Sequence, residues 1–252
     1  MNAAEVKRPI LLRSMSPIDS TKSGNLLKRR RRKINQKMIK HVCFDLDGTL
    51  VDSRVTILES TKAALDQLNI SYKIDEEIFT NLIGMHFVDI FEKLHIEVPD
   101  FEKFISIYKK LYFEFMESSY LYPEVLETLR FLKEKQIRVS LLTTKVQEQA
   151  DKIIDHFNLR HSFDYLMGRR DRLAHKPSPE SLLFICDELK IKSVYTLMVG
   201  DTELDIQCGK NAGSKTCGVL FGYRTKEQLE KEKPDFFISG LNGLNKILSQ
   251  IN

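Results

Sequence analysis

Residues 45–53 read DLDGTLVDS. Asp45 and Asp47 stand two apart at the end of a short apolar run, and in extended chain such residues face the same side. Two carboxylates buried at a strand end are costly unless something pairs with them. Gly48 permits the tight turn that would expose them. A calcium loop of the EF-hand kind is excluded, because the further acidic ligands and the distal Glu are missing. A second acidic group is GDTELD at 200–205, with Asp201 and Asp205. Alone it reads equally well as a helix start, with Thr202 and Asp205 forming a capping box. It gains weight because it ends another apolar strand. Three or four carboxylates at one edge repel each other, and a donor set of oxygens without Cys or His points to Mg²⁺. Lys176, in HKPSPE, would be an ordinary solvated lysine on its own. Beside carboxylates and a cation it would balance charge and hold a phosphoryl group.

These residues need elements to bring them together, and the chain supplies a regular rhythm. His41–Asp45 reads as a buried strand. Residues 54–121 read as helices, and Phe101, Phe104, Ile105, Tyr108, Leu111, Tyr112 and Phe115 recur at spacings of three and four, an amphipathic face expected to be ordinary core. Val125–Lys135 reads as a helix, Arg138–Thr143 as a strand, Val146–Phe157 as a helix and Phe163–Met167 as a short strand. Ser178-Pro179-Glu180 is a helix start. Val194–Val199 and Lys215–Leu220 read as strands around a helix at Leu204–Asn211, and further elements follow at Phe236–Ile238 and Leu241–Leu248. Strands alternating with helices predict an α/β fold with a doubly wound, mostly parallel, Rossmann-like sheet. Such sheets bind ligands beyond the carboxyl ends of their strands. The polar residues collect there: Asp45 and Asp47 after the first strand, Thr143 and Thr144 after the next, Asp201 after a third.

Bulk composition sets limits on function. With 252 residues, 42% of them hydrophobic and 29% charged, the chain can build one large α/β domain with a smaller insert. The net charge of +4 hides a division. Residues 1–37 carry 11 Lys/Arg against Glu5 and Asp19, including KRRRRK at 28–33, whereas 38–252 hold 28 Lys/Arg against 33 Asp/Glu. The mildly acidic part gives no general reason to expect nucleic-acid binding. The basic stretch is expected to be a disordered tail outside the working fold, with Met38 just before the first strand. Nucleic acid, anionic lipid or organelle targeting remain open only through it. The four cysteines form no CxxC and no zinc spacing, which suits a reducing, cytoplasmic setting. No apolar run reaches the roughly 18–20 residues of a membrane span.

Taken in order, DLDGTLVDS, LLTTK, KPSPE and GDTELDIQCGKNAG resemble the haloacid dehalogenase-like phosphohydrolases over about residues 38–252. The run AGSKTCGVLFGY, with a helical insert directly after the first motif, is most similar to the phosphoglycolate phosphatase branch. The resemblance implies a core domain of 38–53 and 122–252, and an all-helical cap of 54–121. It implies that Asp45 is the nucleophile forming an aspartyl-phosphate, and that Asp47 is the general acid and then the base. Thr143, with Thr144 beside it, would hydrogen-bond the phosphoryl group, and Lys176 would orient Asp45 and the phosphate. Asp201 would bind Mg²⁺ together with the Asp45 carboxylate and the Asp47 main-chain carbonyl, and Asp205 would support the metal site. Desolvation and a neighbouring carboxylate would then raise Asp47, while the cation keeps Asp45 ionised.

The same resemblance narrows the reaction. Relatives that cleave C–halogen or C–P bonds lack the second aspartate, and Asp47 is present. The expected substrate is a small phosphorylated metabolite, 2-phosphoglycolate first. Inorganic pyrophosphate or a nucleotide is the rival within hydrolases. A β-phosphoglucomutase would share the core, but usually has an Arg soon after the cap glycine, where Gly84 is followed here by MHFVD. A pseudo-phosphatase acting through the basic arm is the non-enzymatic alternative. Thr144, Glu124 and His86 depart from residues common in the branch (Asn, Gly and Pro), which leaves the substrate open, as it leaves oligomeric state.

Overall fold

The computed structural model describes residues 38–251, so the expectations about 1–37 lie outside the described residues. Six strands form one parallel sheet: β1 (His41–Phe44), β4 (Arg138–Val146), β5 (Tyr165–Arg169), β6 (Thr196–Gly200), β7 (Lys215–Val219) and β8 (Phe236–Ile238). Their order is β5-β4-β1-β6-β7-β8. The chain first winds to one side of β1 and then returns to continue on the other. The carboxyl end of β1 is therefore the switch point of the sheet, where open α/β folds form their ligand crevice.

Burial on both faces explains the composition of these strands. Val42 and Phe44 belong to the core on one face, with Leu197 and Val199 of β6. Cys43 and Met198 belong to the core on the other. That alternation is the two-residue period of a strand. Helices α5 (Val125–Glu134), α6 (Gln147–His156) and α10 (Gly243–Ile251) contribute to the first core through Leu129, Leu132, Ile153, Ile154 and Leu244. Helices α7 (Glu180–Glu188) and α8 (Glu203–Asn211) contribute Leu182, Ile185 and Cys208 to the second. A short helix, α9 (Lys226–Lys231), precedes β8.

Between β1 and β4 the chain makes a helical excursion through α1 (Arg54–Gln67), α2 (Glu76–Thr80), α3 (Phe87–Leu94) and α4 (Phe101–Glu114). The aromatic stripe read from the sequence lies on α4, where Phe104 packs 5.2 Å from Phe87 and 4.9 Å from Phe91, centroid to centroid, both edge to face. Offset and edge-on packings of this kind add to simple area burial. The excursion does not stay helical to residue 121. Tyr120–Leu121 form a strand, β3, antiparallel to β2 (Val51–Asp52), with Asp52 opposite Tyr120. The Tyr120 hydroxyl donates to Asp52 at 2.8 Å, and Arg54 ion-pairs with the same carboxylate at 2.7 Å. A pairing across 68 residues leaves no local period to read.

Glu124 also departs from expectation. It stands before α5 with φ +69°, a left-handed conformation that favours glycine. Its carboxylate accepts from the Asn242 main-chain N–H at 2.9 Å and from its side-chain amide at 2.6 Å, which holds it there.

Candidate active site

The turn after β1 is closed by Gly48 N–H donating to Val51 C=O at 2.8 Å and Val51 N–H to Leu46 C=O at 2.9 Å. Gly48 has φ +82°, and a Cβ there would fall 2.2 Å from an Asp201 carboxylate oxygen. The glycine thus serves both backbone shape and the approach of the two acidic motifs.

Lys176 is the hub of the acidic group. Its Nζ lies 2.6 Å from Asp45 Oδ1 and 2.6 Å from Asp205 Oδ1, and all three residues are buried. The other oxygen of Asp205 accepts from the Thr202 N–H at 3.0 Å and the Thr202 hydroxyl at 2.7 Å. The capping arrangement and the charged site are therefore one structure. Asp201 is fully buried; it accepts from Tyr223 N–H at 2.8 Å and from the Thr49 hydroxyl at 3.4 Å. Carboxylate oxygens of Asp45, Asp201 and Asp205 lie within 4.8 Å of one another.

Three buried carboxylates around one ammonium leave a deficit of positive charge. Burial raises the Asp45 carboxyl to about 7, with Lys176 opposing and Asp205 adding to the effect. Burial, followed by Asp45 and Asp205, pushes Asp201 well above the usual carboxylate range. Burial alone would lower Lys176, but Asp205 and Asp45 outweigh it and hold the ammonium charged. A cluster that combines hard oxygen donors with unmet negative charge fits a small divalent cation such as Mg²⁺.

Asp47 has different company. It accepts a very short hydrogen bond from the Ser53 hydroxyl, and Lys145 Nζ stands 3.3 Å from its other oxygen. Lys145 also lies 4.2 Å from the centre of the Tyr112 ring. Ser53 in turn meets the Tyr223 hydroxyl, its N–H donating at 3.0 Å. Since Tyr223 N–H holds Asp201, one chain of contacts joins the two acidic motifs. Asp47 thus stands against a cation and a hydroxyl, outside the carboxylate cluster that holds Asp45.

Asp45, Asp47, Thr144 and Lys176 share a cavity of about 410 Å³. Its opposite wall is formed by the helical excursion, with Ile83, Met85, Phe101, Ile105 and Tyr108. Part of the aromatic stripe thus lines the cavity and is more than core. Gly84 and His86 also face it, and Gly84 sits close enough to the core that a Cβ would meet Thr202 Cγ2 at 3.1 Å. Thr143 is not on the cavity lining; its hydroxyl accepts from Lys145 N–H at 3.3 Å in the irregular last part of β4. Asp201 and Asp205 lie behind the lining and join the site through Lys176 and the carboxylate cluster.

A family model described as haloacid dehalogenase-like hydrolase matches residues 42–219, which spans every element named above from β1 to β7. The chain belongs to the haloacid dehalogenase-like hydrolases. It is 33% identical over 208 residues to a phosphoglycolate phosphatase from Aquifex aeolicus, covering 82% of this chain and 95% of the relative. It is 34% identical over 220 residues to the pyrophosphatase PpaX of a Bacillus cereus strain, covering 85% and 98%. Its structure is similar to that of a protein from Haemophilus somnus described as a predicted phosphoglycolate phosphatase, with TM-score 0.72, 26% identity, and 83% and 97% of the two chains covered. This haloacid dehalogenase-like hydrolase is an enzyme of the phosphatase-like kind, and among its described residues no helix is long and apolar enough to cross a membrane.

Sequence reasoning missed Lys145, Ser53 and Tyr223 in this hydrolase. Lys145 had a signal, a lysine directly after the strand's two threonines. Ser53 lies inside the first motif but resembles any helix-start serine, and Tyr223 is brought in by a contact 170 residues distant.

Proposed function

We propose that the protein is a Mg²⁺-dependent phosphatase that hydrolyses a small phosphomonoester, 2-phosphoglycolate being the first candidate, through an aspartyl-phosphate on Asp45. The observation that carries this reading is Asp45 itself, a carboxylate gripped by Lys176 on the floor of a cavity that Asp47 also faces. Asp45 attacks phosphorus and the bond to the leaving oxygen breaks. Asp47 gives that oxygen its proton. Asp47 then takes a proton from water, which attacks the aspartyl-phosphate and releases phosphate and free Asp45. Splitting one hard displacement into two easier ones is the gain of covalent catalysis. Lys176 and Thr144 hold the phosphoryl oxygens. Thr143, whose hydroxyl accepts from Lys145 N–H, shapes the irregular end of β4 that carries Thr144. Ser53 and Lys145 fix the Asp47 carboxyl so that its proton moves along one direction. Asp45, Asp201 and Asp205 would hold the Mg²⁺, with the Asp47 carbonyl; once bound, the ion neutralises carboxylate charge and polarises the phosphoryl group. The stretch 54–121 acts as a cap that excludes water from the first step and selects the leaving group.

A second reading, hydrolysis of inorganic pyrophosphate, draws on the positive charge of the cavity wall, where Lys109, Lys145 and Arg169 accompany Lys176. The test is phosphate release by the full chain, with and without Mg²⁺, from 2-phosphoglycolate, pyrophosphate, nucleotides and sugar monophosphates, with Asp45→Asn as control. A Mg²⁺-dependent preference for phosphoglycolate, lost in Asp45→Asn, supports the first reading, and a preference for pyrophosphate the second. Undiminished release by Asp45→Asn would overturn the covalent route.

A further inference from the structure

The cavity holds more positive charge than one phosphoryl group uses. Lys176 is engaged by Asp45 and Asp205, and Lys145 by Asp47. Arg169 is not so engaged. It is the last residue of β5, in register with Val146 of β4, and it lines the same cavity as Asp45. Among the described residues its guanidinium makes no ion pair and no hydrogen bond. The adjacent arginine shows the contrast. Arg170 donates to Gln147 Oε1 at 3.1 Å, to the Tyr165 hydroxyl at 3.2 Å and to Leu166 C=O at 3.4 Å, so it ties the fold together. Nothing comparable occupies Arg169.

His86 lines the same cavity from the loop before α3, and its ring centroid is 5.8 Å from that of His175, which directly precedes Lys176 behind the lining. Burial, then Arg169, then His86 hold His175 below the ordinary imidazole range, as expected where positive charge is in surplus. Asp89, also on the cavity wall, forms no ion pair with any of the three. A guanidinium without a protein anion, on the wall of the cavity that Asp45 shares, is suited to receive one from a ligand, and its planar fork matches carboxylate and phosphate oxygens two at a time.

We propose that Arg169, on the cavity wall that His86 shares, forms a second anion subsite, so that the preferred substrates are phosphoryl compounds whose leaving group carries a carboxylate or phosphate of its own. This rests on the phosphatase reading above for its catalytic meaning, though not for its test. The subsite is a specificity device: it holds the far end of the substrate while Lys176 and Thr144 hold the reacting end.

Binding can be measured without turnover. The full chain carrying Asp45→Asn is titrated calorimetrically, in Mg²⁺, with 2-phosphoglycolate, pyrophosphate and ethyl phosphate. At least one of the two ligands that carry a second anionic group should bind at least tenfold tighter than ethyl phosphate. Arg169→Gln should shrink that ratio at least fivefold, and Arg169→Lys should restore part of it. The phosphoglycolate and pyrophosphate arms tell a carboxylate subsite from a phosphate one. A ratio near one in the Asp45→Asn protein, a ratio that survives Arg169→Gln, or no binding of any ligand would each overturn the subsite. Release of p-nitrophenol from p-nitrophenyl phosphate by the unmutated chain is scored separately, and its absence counts against the phosphatase reading alone.

Discussion

Lys176 Nζ stands 2.6 Å from Asp45 Oδ1 in surroundings where the lysine is only 6% exposed. This ammonium bonds two of the three clustered carboxylates, Asp45 and Asp205, and no other cation among the described residues forms an ion pair with the cluster. Removing one partner of a buried ion pair leaves uncompensated charge, at a cost of about 3–5 kcal/mol. Lys176→Met should therefore lower the unfolding free energy by an amount of that order, seen as a lower urea midpoint, and millimolar Mg²⁺ should recover part of the loss. Denaturation with and without Mg²⁺ checks this; an unchanged midpoint in both would mean that the carboxylates do not depend on the lysine.

Gly48 and Gly213 make a matched pair. Both have positive φ, +82° and +71°, but a Cβ at Gly48 collides with Asp201 while one at Gly213 meets nothing within 4 Å. Gly213→Ala should cost only the left-handed backbone penalty, about 1–2 kcal/mol, and leave phosphate release intact. Gly48→Ala should cost more and reduce phosphate release by at least a hundredfold, because Asp201 must move. Equal effects of the two substitutions in melting and activity assays would contradict the close approach.

Lys145 touches Asp47 and the face of Tyr112, not the Asp45 cluster. If it fixes the carboxyl that handles the proton, Lys145→Gln should lower kcat by about ten- to a hundredfold, within the range of acid–base contributions. The loss should be smaller for p-nitrophenyl phosphate, whose leaving group needs little protonation, than for an alkyl phosphate. Identical losses on both substrates would assign Lys145 to phosphate binding instead.

His41 lies away from the catalytic edge, at the amino end of β1. Its ring nitrogens meet Thr196 Oγ1 at 3.0 Å and Ser140 Oγ at 2.7 Å. Burial lowers its pKa from 6.5 to about 4, with Asp164 opposing. The unfolded chain thus binds the proton more readily than the fold does, and stability is lost as pH falls from about 6.5 toward 4. The full effect is on the order of 3 kcal/mol. The difference in unfolding free energy between the unmutated protein and His41→Asn should shrink across that window and stay flat above pH 7. A difference independent of pH from 4 to 8 would show that the imidazole is not held neutral.

The catalytic edge was legible because its residues lie at strand ends, where type and spacing report position. DLDGT and GDTELD each follow an apolar run, and a parallel sheet brings such ends together whatever the intervening loops do. Lys176 was legible only in company, since nothing local distinguishes it from other loop lysines. The β2–β3 pair, the Lys145–Asp47 contact and the Ser53–Tyr223 link were not readable, because each depends on a long-range contact. Arg169 illustrates the same limit: the sequence shows two adjacent arginines, and only packing tells which one is spent on the fold.

Asp52 and Tyr120 face each other across two short antiparallel strands. Everything from residue 53 to residue 119 therefore leaves and rejoins the chain at one point, and none of the six sheet strands takes its register from that stretch. The excursion can be lengthened or rebuilt while the strand ends that carry Asp45 and Asp201, and the loop that carries Lys176, keep their places. The helical stretch thus hangs from the sheet as a module whose length is free to change, because its two ends are already fastened to each other.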